Sequence, residues 1–179
     1  LRSPSFKGQA YRLADLVLDV PSLVEVLARQ HRDVIYRIDW SQASLERDGD
    51  RAYIRGRDWE LHPGQLILTA GAGNEALIKA LGANEPAMQR RPLQQVLMKH
   101  EYAEPFYSHC TGGSAAPRLT ISSHKNSSGE PVWYLGGDLA TEGPEDPPEV
   151  LISKARRELN ELLPWIDFGQ TQWGTIKLD

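Results

Sequence analysis

Cysteine is all but missing from this chain. Cys110 is the sole example in 179 residues, so no internal disulfide can form, and a reducing, cytoplasmic setting is expected rather than an oxidising one. A cationic excess is missing too. Lysine and arginine total 20 against 24 aspartates and glutamates, a formal charge of −4, which argues against a nucleic-acid or acidic-membrane partner. No apolar run approaches the roughly 20 residues of a membrane-crossing helix, and the opening Leu1-Arg2-Ser3-Pro4-Ser5 has no apolar signal-peptide core. Repeats, low-complexity tracts and charge blocks are also lacking. No His/Cys/Asp/Glu spacing recommends a metal, no Ser-His-Asp arrangement can be argued from sequence, and no catalytic residue is assigned.

What is present is ordinary globular composition, 40% hydrophobic and 25% charged, in a chain long enough for one domain or two small ones. The most informative stretch is Gln65-Leu66-Ile67-Leu68-Thr69-Ala70-Gly71-Ala72-Gly73-Asn74. A continuous apolar run, expected as a strand buried on both faces, ends in a glycine turn that opens into a helix running to Gly82. Bare backbone N–H groups in such a turn suit a phosphate. Gly71, Gly73 and Ala76 formally satisfy G-x-G-x-x-G/A, but the dinucleotide fingerprint also needs a following strand with an acidic end about 20 residues on. The proline-broken, basic Glu85 to Arg91 is not that strand. A complete nicotinamide fold is therefore rejected, leaving a plain turn or a secondary nucleotide contact.

Before the turn, the pattern predicts a short extended segment at Leu16–Val20, a helix from Pro21 to His31, and a strand from Val34 to Trp40. A hairpin of Ser44–Arg47 and Arg51–Arg55 closes through Asp48-Gly49-Asp50. Asn84-Glu85-Pro86 reads as a boundary, separating residues 1–85 from 86–179. Beyond it, strands at Leu93–His100, Pro105–Cys110, Arg118–His124 and Val132–Gly136 follow without intervening helices, which favours antiparallel pairing with one wet face. In Arg118–His124, Leu119 and Ile121 share one face and Thr120, Ser122 and His124 the other. A helix from Pro147 to Leu163 carries the apolar stripe Leu151, Ile152, Ala155, Leu159, Leu162 and Leu163. Its solvated side is Lys154, Arg157, Glu158 and Glu161. A last strand spans Thr171 to Leu178.

The order of these pieces resembles FAD-dependent oxidoreductases of the D-amino-acid oxidase type. Leu18-Asp19-Val20-Pro21-Ser22-Leu23 is similar to that family's Asp-Pro helix start, and Asp33 to Trp40 with the Asp48-Gly49-Asp50 hairpin to its strand and meander. Leu66 to Gly73 resembles the strand and Ala-Gly turn that returns to the flavin. Arg90-Arg91-Pro92-Leu93-Gln94-Gln95 resembles the lead-in to the substrate sheet, and Trp133-Tyr134-Leu135-Gly136-Gly137 a strand ending in paired glycines. Two departures stand out: the family's N-terminal glycine fingerprint has no counterpart here, and the family's C-terminal return to the flavin is also lacking. With Leu1 in place of a methionine, the expectation is an internal fragment, covering mainly the substrate-binding domain.

The resemblance implies an α+β fold: a mixed or antiparallel substrate-domain sheet packed with helices (86–179), beside a partial α/β remnant of the FAD-binding domain (1–85). It implies FAD in the full-length parent and none retained by this chain, which is expected to be inactive. It further implies hydride transfer to flavin from a C–H beside an amine or hydroxyl, with an amino acid, N-methyl amine or polyol phosphate as substrate. Because such substrates are commonly anionic, the substrate-binding candidates are Tyr107, His109, Arg118, His124 and Tyr134. The cofactor-binding candidates are Ala70, Gly71, Ala72, Gly73, Gln94 and Gln95. Surface uncovered by truncation, especially near Leu66, Leu68 and residues 34–40, is expected to drive self-association. Two alternatives remain open at this point: a stand-alone, non-enzymatic module binding a small anion or peptide, and a small enzyme using Cys110 with a histidine.

Overall fold

The computed structural model describes residues 8–178 and divides the chain into two compact units, one spanning Tyr11–Gln89 and the other running from Arg90 onward together with the described residues before Tyr11. The fold is mixed α+β, with helices and antiparallel sheets. Among the described residues no helix is long and apolar enough to cross a membrane.

In the first unit, Asp19 starts helix α1 (Val20–Gln30). Its carboxylate accepts a bond from the Ser22 N–H at 3.4 Å, and Pro21 occupies the first turn, where its missing N–H costs nothing. α1 buries none of its residues. Strands β1 (Ser44–Asp48) and β2 (Arg51–Arg55) form the expected hairpin, and the short β3 (Glu60–Leu61) adds to β2. Leu45 lies directly across from Ile54, and this pair is the buried apolar content of the unit among the described residues. Helix α2 (Asn74–Ala80) follows the glycine turn.

Two strand expectations are corrected here. Val34–Trp40 and Gln65–Ala70 join no ladder, and Val34 closes a short 3-10 turn; the extended segment before the helix is one residue shorter than expected, since α1 already begins at Val20. Ile35 has extended backbone angles (φ −96°, ψ 120°), yet a strand exists only where a neighbour takes its N–H and C=O groups. No such neighbour is found among the described residues. Ile67 is 73% exposed and Tyr36 82%, whereas Leu66 and Leu68 are half-buried.

The second unit is a five-stranded antiparallel sheet in the order β5-β6-β7-β4-β8. Its strands are β4 (Leu93–Lys99), β5 (Ser108–Thr111), β6 (Pro117–Lys125), β7 (Pro131–Gly136) and β8 (Gln172–Leu178). Period-two alternation sends Val96 and Met98, Leu119 and Ile121, and Trp133 and Leu135 to one face. There they pack with Leu139 of helix α3 (Asp138–Glu142) and with Leu151, Ala155, Leu159 and Leu163 from helix α4 (Pro148–Leu162) and its end. Helix α3 is not foreseen by the sequence pattern. It becomes possible because Gly137 turns the chain with φ +80°, where a Cβ would also lie 2.5 Å from the Pro117 carbonyl oxygen.

Candidate functional site

The sheet has a covered face and an open one, and the candidates divide between them. On the open face, cross-strand register places His109 opposite Thr120, Thr120 opposite Gly136, Ser122 opposite Tyr134 and His124 opposite Val132. On the other side of β7, Leu97 of β4 lies opposite Tyr134. Gly136 leaves room at the centre: a Cβ there would sit 2.7 Å from Thr120 Oγ1 and 3.5 Å from Gln95 Nε2. The His124 and Tyr134 rings pack at a tilt with centroids 4.2 Å apart, and Ser122 Oγ lies 2.9 Å from His124 Nε2. Gln95, His109, Thr120, Ser122, His124 and Tyr134 therefore form a polar strip across four strands. Tyr107, just before β5, is half-exposed and donates its hydroxyl to the Ser123 carbonyl at 3.1 Å.

Two candidates leave this group. Gln94 alternates onto the covered face and is 6% exposed. It lies inside β4, where neighbouring residues must point to opposite faces, so it cannot accompany Gln95. Arg118 departs for a subtler reason. Cys110 pairs with Leu119 and Thr111 with Pro117, so Arg118 is the extra residue of a β-bulge. Its guanidinium turns to α4, with Nε 2.5 Å from Glu158 and Nη2 2.5 Å from Glu161. These bonds strengthen its hold on its proton and keep the Glu161 carboxyl below the usual range. Glu158, expected on the solvated side of its helix, is instead largely covered, its side chain 13% exposed.

The glycine turn is braced from within. Asn74 Oδ1 accepts from the Ala70 N–H at 2.7 Å, and Asn74 Nδ2 donates to the Leu68 carbonyl at 3.3 Å. Gly73 N–H bonds to the Ala70 carbonyl, and Asn74 N–H to that of Gly71. Ala70 and Gly73 thus have their donors engaged. Gly71 adopts φ +56°, and no atom lies within 4 Å of where its Cβ would be. The amides of Gly71 and Ala72 are what the turn can offer a phosphate, about 1 kcal/mol each. This fits a supplementary contact to a dinucleotide cofactor and falls well short of holding one, since micromolar binding needs about 8 kcal/mol.

A buried feature escaped the sequence reading. His100, just past β4, is 2% exposed and sits among the rings of Trp133 (4.8 Å), Phe168 (6.2 Å) and Tyr102 (6.5 Å). Neither ring nitrogen meets hydrogen-bond geometry, nor does Trp133 Nε1. Burial pushes the imidazole pKa down, with the Tyr102 backbone offsetting part of that effect. Thr120 and Ser122 are legible from alternation alone; Asn74 carries a weaker signal, an Asx residue directly after a glycine turn. Cys110 packs against the core with its thiol 3.6 Å from Ser108 Oγ, and no metal-type cluster occurs among the described residues.

Comparison with known proteins adds an independent line. No family model matches the sequence. A curated protein from Pseudomonas aeruginosa, named "Probable FAD-dependent oxidoreductase PA4991", is 45% identical over 183 residues, an alignment covering 100% of this chain and 46% of that protein. The crystal structure of the FAD-dependent oxidoreductase PA4991 from the same organism superposes with a TM-score of 0.87 at 43% identity, over 99% of this chain and 49% of that one. The chain spans about half the length of the curated relative it matches. Over its whole length it is homologous to one part of a probable FAD-dependent oxidoreductase.

Proposed function

We propose that this chain is the substrate-side portion of an FAD-dependent oxidoreductase of the D-amino-acid oxidase type, acting on a C–H bond beside an amine or a hydroxyl. The observation that carries the reading is the similarity to PA4991 at 43% identity and TM-score 0.87 across 99% of the chain. The open sheet face supports it, because a strip of hydrogen-bonding side chains on rigid strands is suited to orienting a small substrate. FAD, when bound, would supply the oxidising chemistry as the acceptor of the substrate's hydride. The chain's share is to bind and orient. Gln95, Thr120, Ser122 and Tyr134 offer hydrogen bonds, His124 packs at a tilt against the Tyr134 ring, and Gly136 keeps the centre of the strip low.

FAD in the parent is held chiefly outside these residues, with Gly71 and Ala72 adding backbone contacts. The isolated chain accordingly does not retain flavin and does not turn over. Exposed apolar side chains such as Leu16 (87%), Tyr36 (82%) and Ile67 (73%) favour self-association of the isolated chain. They also weigh against a stand-alone binding module. A cytoplasmic location accords with the single cysteine.

The test is expression of the longer polypeptide encoded around these residues. It should purify yellow, with flavin absorbance that bleaches anaerobically with an amine or alcohol. A colourless, monomeric protein no longer than this chain would sink the reading. The same spectrum on the 179-residue chain should show no flavin, and sedimentation should show species larger than a monomer.

A further inference from the structure

We infer that the open face of the five-stranded sheet takes an uncharged, hydroxyl-bearing ligand rather than an anion or a cation. The inference rests on the reading above and narrows it. The five strands contain one arginine, Arg118, and no aspartate or glutamate. The β-bulge takes that arginine off the open face and commits it to Glu158 and Glu161. Of the strand lysines, Lys99 shares the open face with Gln95 and Leu97, at the end of β4 opposite Val132, but Glu130 neutralises it at 2.5 Å; Lys177 reaches the Pro144 carbonyl on the helix side at 3.3 Å. Lys125 shares the parity of Leu119, Ile121 and Ser123, which point to the covered face.

The strip itself offers amide, hydroxyl and imidazole groups. A carboxylate or phosphate brought there would find hydrogen-bond donors but no unpaired cation, and so would forgo the charge-assisted bonds that normally hold such groups. An ammonium would meet no carboxylate among the strands, and the one at their end, Glu130, is already taken by Lys99. A hydroxyl both donates and accepts, and so do Gln95, Thr120, Ser122 and Tyr134. Each can therefore satisfy it without stranding a charge.

Three ligands on one carbon frame separate the cases: propane-1,2-diol, lactate, and 1-aminopropan-2-ol. They are titrated at pH 8 into the 179-residue chain while the ring resonances of His109 and His124 are followed by NMR. The diol should shift both rings saturably, and lactate and the amine at least tenfold more weakly. Equal or tighter response to lactate or to the amine would overturn the inference, as would rings unmoved by the diol. The Ser122→Arg variant, which adds an unpaired cation to the open face, should reverse the preference towards lactate, and retention of the diol preference would also overturn it. Flavin binding by the longer polypeptide is read separately. Its failure would remove the flavoenzyme reading while leaving the selectivity of the sheet measurable.

Discussion

The two units were built by one sequence under opposite conditions. From Arg90 onward, a sheet face and two helices enclose Val96, Met98, Leu119, Trp133, Leu135 and Leu151, each at 0% exposure. From Tyr11 to Gln89, burial reaches only Leu45 and Ile54, and α1 keeps Leu23, Val24 and Leu27 more than 40% exposed. The apolar content is similar in kind; what differs is whether partners are present to cover it. Hydrophobic patterning thus specifies which face will be buried, and packing partners decide whether it is.

Paired truncations put that contrast to its severest test. Trp133→Ala should cost about 3–5 kcal/mol in denaturant unfolding of the sheet unit, because it empties the centre of the aromatic cluster. Leu27→Ala, equally apolar but 47% exposed, should change stability by about 0.5 kcal/mol or less. Comparable losses from both would erase the distinction. Next in size, Gly137→Ala combines an unfavourable backbone conformation with the contact to Pro117. It should destabilise by about 1–3 kcal/mol, seen as a lower thermal midpoint.

Arg118→Ala is expected to cost about 1–2 kcal/mol, since it leaves Glu158 largely covered without its partner. Because the Arg118 side chain is itself 34% exposed, part of the effect should fade in high salt. A salt-independent loss would point to packing instead.

The smallest effect is a slope against pH. The folded pKa of His100 lies below the usual 6.5, so between the two values the unfolded chain binds more protons than the folded one. Stability should therefore fall as pH drops below about 6.5 and level off beneath the folded value, with a slope of up to about 1.4 kcal/mol per pH unit. The carboxylates of Glu130 and Glu161, held low by Lys99 and Arg118, act in a separate window below 4.5. His100→Phe should flatten the upper window and spare the lower one.

Much of the second unit was legible because its signals are local. Alternation in residues 93–99 and 118–124 and the stripe of residues 148–162 each imply their faces without reference to anything else. The strands expected at Val34–Trp40 and Gln65–Ala70 could not be judged that way, since a ladder requires a partner that the segment does not encode. Arg118 shows the limit for the site. One extra residue in a strand inverts the side on which a side chain emerges, and no feature of Pro117-Arg118-Leu119 announces the bulge. Gln94 shows a plainer limit: within the expected strand it and Gln95 must face opposite ways, so the two could not both serve one site.

The order of the sheet has a consequence for how the chain comes to be folded. β4 is flanked by β7 and by β8, with Leu93 opposite Leu178. One of its edges thus waits for residues that emerge from the ribosome some 80 positions later. Such distant pairing slows closure. Until β8 arrives, β4 is left as an unpaired edge of the nascent sheet, and this is the interval in which a chaperone, or a mispaired strand, would find it.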